Sequence, residues 1–269
     1  MIELRDVHRT FVDGSHTLNV LQGVDWSIDD GESIAVMGRS GTGKSTLLNL
    51  IGGLDRKYKG AITVNGLSLE KLSDKELTRF RNESIGLVFQ SFHLMDQLTS
   101  EENVMLPTWF SGRKGDFRQK ACELLERVGL AEKIGKNPNR MSGGEKQRIA
   151  IARALIMEPK ILLCDEPTGN LDEQTSEEIL ELFKQLHKEE GITLIMVTHD
   201  RRIAEATQKV MVLRNGLLEQ EGAAEEDQET SDDAASSDQE EVSNEADSKS
   251  PASDSDELSD DDNSSSSNK

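Results

Sequence analysis

Few cysteines, few aromatic residues and no long apolar run set the first limits on this chain. Its 269 residues include two cysteines, five prolines and 4% aromatic residues. Two cysteines cannot build a disulfide scaffold, and Cys122 and Cys164 do not form a paired metal motif such as CxxC. No apolar run approaches the roughly 20 residues that span a bilayer. The N-terminal segment MIELRDVHRT also lacks the apolar core of a signal peptide. These absences predict a chain that stays in the cytosol.

Basic residues are almost missing from the C-terminal part of the chain. The formal net charge is −20, and residues 221–269 carry 18 acidic and two basic residues. Val242 and Leu258 are their only large apolar residues, too few to offset the entropy lost on ordering. We therefore predict a folded unit over residues 1–220 and a disordered, acidic, Ser- and Asp-rich tail over residues 221–269. The tail's role is open between a solubilising extension, a tether for a basic partner and a phosphorylated segment.

The acidic balance of the whole chain argues against general electrostatic binding to nucleic acid. We therefore expect no nucleic-acid partner, although a local basic patch is compatible with this composition.

Alternating strand and helix patterns predict an α/β fold with a mainly parallel sheet. Residues 33–37, 160–164 and 192–198 are apolar runs typical of buried parallel strands. Residues 1–7 and 20–28 alternate only partly, which favours strands near the surface.

A glycine-rich segment follows the predicted strand 33–37 and fits G-x-x-x-x-G-K-[ST]. Backbone N–H groups and the positive end of the following helix bind phosphate in such a loop. Lys44 is predicted to contact the β- and γ-phosphates, and the Ser45 hydroxyl to ligate Mg²⁺. The predicted nucleotide contacts are Gly38, Arg39, Ser40, Gly41, Thr42, Gly43, Lys44, Ser45 and Thr46.

Two carboxylates, Asp165 and Glu166, directly follow the predicted strand 160–164. Asp165 is predicted to hold Mg²⁺, directly or through water, and Glu166 to activate the attacking water as a general base. Two acids after a strand also occur as a helix cap or a turn. The phosphate loop in the same chain favours the catalytic interpretation.

The segment MSGGEKQR at 141–148 completes a set of motifs that resembles an ABC-type ATPase, whose signature is usually written LSGGQ. The resemblance covers residues 1–220 and implies a cassette with a mainly parallel core sheet. It also implies a small antiparallel β subdomain and an α-helical subdomain at about 91–158. ATP hydrolysis with Mg²⁺ is the activity that this resemblance implies.

The resemblance also implies roles for residues outside the phosphate loop. Phe11 would stack on adenine, Gln90 would contact Mg²⁺ and the attacking water, and His199 would contact the γ-phosphate. Considered alone, each of these residues could instead be a packing, strand-end or capping residue. The remaining implied contacts are the signature residues Ser142, Gly143, Gly144 and Glu145 and, in a loop that meets a partner cassette, Asp172.

The signature departs from the usual pattern at two positions. Met141 replaces leucine, which keeps an apolar side chain, and Glu145 replaces glutamine, which places an acid near a bound anion. Several families in this class also carry SGGE, so we do not interpret Glu145 as a sign of inactivation.

Partners follow from the same resemblance. One phosphate loop and one signature in the chain imply an ATP-dependent head-to-tail homodimer or a pair with a close relative. Segments 50–55, 81–94, 98–107 and 165–172 are similar to the lipoprotein-releasing (LolD) and macrolide-export (MacB) ATPases. This implies a peripheral subunit at the cytoplasmic face of the inner membrane. There it would drive a separate integral-membrane permease that releases lipoproteins or exports macrolide- or peptide-like substrates.

Other functions are open to the same fold. A cell-division ATPase would signal through a permease-like partner without transport, although segments 52–55 and 92–107 favour transport. A cassette that acts on DNA or ribosomes usually has a long coiled coil or two cassettes, and a P-loop GTPase needs an NKxD motif. The sequence contains none of these features, and it names neither the substrate nor the permease.

The segment after Gln90 mixes apolar residues with few charges. We expect Phe92, Leu94, Met95 and Leu98 either to pack within the helical subdomain or to line a groove for a cytoplasmic permease helix.

Overall fold

A computed structural model describes residues 1–14 and 16–221. The predicted tail, apart from its first residue, lies outside these described residues. The strands are β1 (Ile2–Asp13), β2 (His16–Ile28), β3 (Ser33–Met37), β4 (Lys59–Val64), β5 (Leu67–Ser68), β6 (Ile85–Phe89), β7 (Ile161–Asp165), β8 (Thr193–Thr198), β9 (Lys209–Arg214) and β10 (Leu217–Gln220). The α-helices are α1 (Lys44–Ile51), α2 (Asp74–Ser84), α3 (Ser100–Met105), α4 (Phe117–Arg127), α5 (Gly143–Leu155), α6 (Glu173–Glu190) and α7 (Arg201–Glu205).

The predicted parallel sheet is confirmed. Its six strands lie in the order β10-β9-β3-β8-β7-β6. All neighbouring pairs are parallel except β10 with β9. Both faces of the central strands are covered, which explains why β7 and β8 are continuous apolar runs. In β7, Leu162 and Cys164 pack into one core with α4, α5 and α6, whereas Ile161 and Leu163 pack into a second core with α1 and the antiparallel sheet.

A four-stranded antiparallel sheet in the order β2-β1-β4-β5 covers the second core. β1 and β2 extend to the turn at residues 13–14 and are longer than the sequence pattern predicts. Register shifts in the β1–β2 pair explain the difference, because they interrupt the alternation on which the prediction depends.

Helix α2 was not predicted from the sequence. Helix α2 begins at a capping box in which the Ser73 side chain accepts a bond from Glu76 N–H and the Glu76 carboxylate accepts one from Ser73 N–H. This S-x-x-E pattern is a recognised start signal. Only Leu77 and Phe80 of the helix are buried, so its apolar periodicity is weak.

Helix α3 ends at Met105, and the chain continues as a 3₁₀ turn over Leu106–Phe110. Helices α3, α4 and α5 share one apolar core. Within residues 1–14 and 16–221, no helix has both the length and the apolar composition needed to cross a membrane.

The fully buried Asn103 of α3 holds the loop that precedes this helix. Its Oδ1 accepts from Met95 N–H at 2.8 Å, and its Nδ2 donates to the carbonyls of Met95, Leu98 and Thr99 at 3.0–3.2 Å. One side chain thus pairs four backbone groups of this loop.

We expect Asn103→Leu to destabilise the fold by about 1–3 kcal/mol, because it removes the partner of Met95 N–H and of Leu98 O. For a folded unit of this size, the melting temperature should fall by about 3–10 °C. Gln119→Leu, at an exposed amide on α4, is the matched control and should change stability by less than about 0.5 kcal/mol. Equal melting temperatures for the Asn103 variant and the wild type would contradict this role.

Candidate active site

The glycine-rich loop joins the end of β3 to the start of α1, as predicted. Gly41 and Gly43 have φ angles of 79° and 103°, in the left-handed region that favours glycine. A Cβ at Gly43 would also collide with the Val20 side chain of β2. Arg39 O accepts bonds from Thr42 N–H at 3.3 Å and from Thr42 Oγ1 at 2.9 Å, which closes the loop. The loop therefore ends at a helix N-terminus, a geometry suited to an anion.

Lys44 lies at the centre of the site. Its side chain is 6% exposed, and its Nζ donates to the carbonyls of Gly38 at 2.9 Å and Arg39 at 3.2 Å. Nζ also lies 3.7 Å from Glu166 Oε1. The ammonium group therefore links the phosphate loop to the acids that follow β7.

Ser45 and Asp165 are brought together although 120 positions separate them. Ser45 Oγ donates to Asp165 Oδ1 at 2.9 Å. Burial raises the pKa of Asp165, and the neighbouring Glu166 carboxylate adds to the rise, whereas Ser45 and Lys44 oppose it. Two oxygen ligands suit Mg²⁺, which usually takes one or two carboxylates and completes its shell with water and phosphate. Within the described residues, no group of three or more His, Cys, Asp or Glu side chains forms a separate metal site.

Glu166 has an unusual backbone conformation. Its φ is 47°, in the left-handed region, and it directly precedes Pro167, which further restricts its backbone. Its N–H donates to Val197 O of β8 at 2.9 Å. Its Oε2 lies 2.7 Å from Nδ1 of His199, the residue that follows β8. The sequence predicted both side chains as site residues but gave no sign of this backbone strain.

Gln90, just after β6, forms hydrogen bonds with Asn170. Its Nε2 donates to Asn170 Oδ1 at 3.3 Å, and Asn170 Nδ2 donates back to Gln90 O at 2.9 Å. Among the hydrogen bonds of residues 1–14 and 16–221, none joins Gln90 to Ser45 or Asp165. The predicted contact of Gln90 with Mg²⁺ and water therefore stays a prediction.

Phe11 lies near the end of β1 with its ring 42% exposed. The guanidinium carbon of Arg9 lies 3.8 Å from the ring centroid and covers one face of the ring. Arg9 is itself held by Asp55, with 2.7 Å between Nε and Oδ2. Sequence reasoning missed Arg9, because its partner Asp55 is 46 positions away.

The signature residues begin α5. Ser142 caps the helix by accepting from Glu145 N–H at 3.2 Å, and the Glu145 carboxylate accepts from Ser142 N–H at 2.9 Å. Lys133 lies 2.8 Å from Glu145 and, together with the Ser142 N–H bond, lowers the pKa of this carboxyl. The acid that replaces the usual glutamine therefore serves as half of a capping box, which is compatible with an intact helix N-terminus.

Two further predicted residues are used for packing and capping. A Cβ at Gly144 would collide with Thr175 of α6, so this glycine allows α5 and α6 to approach closely. Asp172 caps α6, accepting from Thr175 N–H at 3.0 Å and Thr175 Oγ1 at 2.7 Å, and these bonds lower the pKa of its carboxyl. The predicted contact of Asp172 with a partner cassette stays a prediction.

The structure thus brings together one group of predicted residues and keeps another apart. Within the described part of the chain, no hydrogen bond or ion pair joins residues 142–145 to residues 38–46. The converging group consists of the phosphate loop, Lys44, Ser45, Asp165, Glu166 and His199.

Known proteins are similar to this chain in sequence and in fold. A family model described as "ABC transporter" matches residues 21–169. A macrolide export ATP-binding/permease protein MacB of Chlorobium phaeobacteroides is 50% identical over 218 residues, which are 81% of this chain and 33% of that protein. The chain therefore spans about a third of the length of such relatives. A lipoprotein-releasing system ATP-binding protein LolD of Legionella pneumophila is 44% identical, over 79% of this chain and 94% of that protein.

Solved structures show the same fold. A dimeric ATP-binding cassette in a post-hydrolysis state, bound to ADP and Pi, matches with a TM-score of 0.76 and 40% identity. The match covers 81% of this chain and 97% of that chain.

We expect Phe11→Ala to raise the KM for ATP by about tenfold, because base–aromatic stacking contributes about 1–3 kcal/mol. The kcat should change little, since Phe11 lies outside the converging group. Phe11→Trp preserves an aromatic face and is the control. Steady-state kinetics test this, and an unchanged KM for the alanine variant would assign Phe11 to the sheet surface alone.

Proposed function

Because the chain belongs to the ABC transporter ATP-binding family, we propose that it is the ATP-hydrolysing subunit of an ABC transporter. The observation that carries the proposal is the placement of Glu166 between Lys44 and His199 beside a glycine-rich phosphate loop. ATP is the nucleotide that the loop and the start of α1 would hold through backbone N–H groups and Lys44.

Glu166 would act on the water that attacks the γ-phosphate. His199 Nδ1 lies 2.7 Å from Glu166 Oε2, and this contact would hold the carboxylate in one orientation. The left-handed backbone costs about 1–3 kcal/mol, a strain of the kind found at catalytic residues. Lys44 would stabilise the charge that develops on the phosphates.

Ser45 Oγ and the Asp165 carboxylate would hold Mg²⁺ together with the nucleotide. When bound, the ion supplies positive charge at the β- and γ-phosphates. The raised pKa of Asp165 fits this role, because a cation beside a buried carboxylate favours its charged form.

A head-to-tail homodimer accounts for the residues that do not converge. Ser142 and the start of α5 form a second helix N-terminus suited to phosphate. Since no contact joins this terminus to the phosphate loop within the described residues, it would serve the nucleotide of a second copy. The dimeric cassette bound to ADP and Pi supports this assembly.

An apolar groove would receive the permease. The groove has a volume of 560 Å³ and lies between α2, β6, α5 and the 3₁₀ turn. Phe110, at 79% exposed, and Leu54, at 46% exposed, present apolar surface beside it. Six of its apolar lining residues are Leu54, Ile85, Leu87, Phe89, Pro107 and Phe110. We propose a cytoplasmic permease helix with an apolar face as the occupant, driven by burial of apolar surface.

The groove includes His93 and Pro107 of segment 91–107, in which a docking surface was expected, but most of its lining residues lie outside that segment. Phe92, Leu94, Met95 and Leu98 are not among its lining residues. Leu94 packs against the helical core, as the alternative expectation held. His93, with a φ of 48°, marks a sharp change of chain direction that the residue pattern does not encode.

The relatives suggest what such a complex does. By analogy with the LolD and MacB relatives, the partner would be an inner-membrane permease that releases lipoproteins or exports macrolide- or peptide-like substrates. The subunit would then work at the cytoplasmic face of that membrane, with the permease selecting the substrate.

We expect Glu166→Gln to reduce ATP hydrolysis by about 10²- to 10⁴-fold, because it removes the general base. The variant should still bind ATP and accumulate as a dimer, which size-exclusion chromatography with ATP measures. Lys44→Ala is the control that should lose ATP affinity and stay monomeric. A Glu166→Gln protein that hydrolyses ATP at the wild-type rate would overturn the catalytic assignment. A variant that stays monomeric at saturating ATP would overturn the dimer.

We expect Phe110→Asp and Leu54→Asp to weaken binding to the co-expressed permease by at least about tenfold, since a charge would be buried in an apolar contact. Basal ATPase activity should be preserved, because neither residue contacts the catalytic group. Met95→Asp, at an exposed apolar residue outside the groove, is the matched control. Normal copurification of both groove variants would place the docking site elsewhere.

A further inference from the structure

A fully buried glutamine on the signature helix contacts the turn that carries Glu166. Gln147, in α5, has no exposed surface, and its Nε2 donates to Pro167 O at 2.7 Å. A proline carbonyl can only accept, so the amide nitrogen of Gln147 must face it. The bond joins α5 to the residue directly after Glu166.

Packing alone does not explain a glutamine at this position. Its Oε1 is also buried, and within the described residues it has no hydrogen-bond partner. An unpaired buried oxygen destabilises a fold, and a leucine or methionine of similar size would avoid that penalty. The contribution of the Gln147 amide to the structure is therefore its hydrogen bond to the Pro167 carbonyl.

Four constraints hold Glu166 in its left-handed conformation. On one side, Glu166 N–H is bound to Val197 O of β8 at 2.9 Å. On the other side, the Pro167 ring fixes its own φ, and Gln147 anchors the Pro167 carbonyl. Gly169 N–H also donates to Glu166 O at 3.0 Å. With both flanking peptides anchored, Glu166 has little freedom to leave its strained φ of 47°.

We propose that Gln147 is a positioning residue that holds the Glu166 carboxylate in its catalytic place. This inference rests on the proposed role of Glu166 in ATP hydrolysis. Without the Gln147 donor, the Pro167 carbonyl loses its anchor, and only the Val197 and Gly169 bonds still oppose relaxation of the Glu166 backbone toward an unstrained φ. The carboxylate then leaves its 2.7 Å contact with His199 Nδ1. We expect nucleotide binding to be unaffected, because among the described residues no hydrogen bond joins the Gln147 side chain to the phosphate loop or α1.

Gln147→Met in the full chain tests the proposal. Methionine matches the length of glutamine but removes both the donor and the unpaired oxygen, so the melting temperature should stay close to the wild-type value. We expect kcat to fall by about ten- to a hundredfold, the effect of a misplacement near 1 Å. The KM for ATP should change by less than about twofold, the pattern of an interaction lost only in the transition state.

Asn103→Leu separates positioning from stability. Asn103 is an equally buried amide in the helical part of the fold. Among the described residues, its side chain forms hydrogen bonds only with residues 95–99. The Asn103→Leu variant should have a lower melting temperature and an unchanged kcat per folded molecule. This is the opposite of the pattern expected for Gln147→Met. If both variants lose stability and activity in the same proportion, Gln147 is a structural residue and the proposal is overturned.

A double variant tests whether Gln147 acts through Glu166. If it does, Gln147→Met should add less than about a twofold further loss to Glu166→Gln, because one interaction cannot be lost twice. Multiplying losses would overturn the positioning role, as would a wild-type kcat for Gln147→Met while Glu166→Gln is inactive. Wild-type hydrolysis by Glu166→Gln alone would instead refute the proposed function.

Discussion

The parallel pairing of β3, β7 and β8 is the constraint on which the rest of the site depends. In this register Met37 lies beside Thr198, and Asp165 lies beside Val197. The carboxyl ends of the three strands therefore meet at one edge of the sheet, where open α/β sheets bind ligands. The phosphate loop, the two acids and His199 come within contact distance because each follows one of these strands.

Asp165 and Glu166 are neighbours at this edge of the sheet, but their carboxylates have different surroundings. Asp165 is bonded to Ser45 and has a raised pKa because it is buried beside another carboxylate. Glu166 turns toward Lys44 and His199 through a backbone conformation that only its anchors maintain. The same dipeptide thus supplies one carboxylate for the proposed cation and another for the proposed general base.

Helix α5 and the segments next to this edge of the sheet contact one another at several points. Gly144 allows α5 to approach Thr175 of α6, Gln147 binds the Pro167 carbonyl, and Asn170 exchanges hydrogen bonds with Gln90. These contacts join the signature helix, the turn after β7 and the end of β6. A motion of the helices relative to the sheet would therefore reach the proposed general base through defined bonds.

The sequence by itself determined the features that depend on neighbouring residues. The phosphate loop, the Asp165–Glu166 pair and the buried strands were predictable because local spacing and apolar runs encode them. Helix α2 was predictable in principle from its capping box at Ser73. Other features were decided by the tertiary structure alone. They are the contact of Arg9 and Asp55 that supports Phe11, the φ of Glu166, the hydrogen bond from Gln147 to Pro167, and the set of residues that line the groove. Each of these features depends on contacts between residues 20 or more positions apart, or on a strained backbone that the surrounding residues stabilise. A local sequence pattern encodes neither.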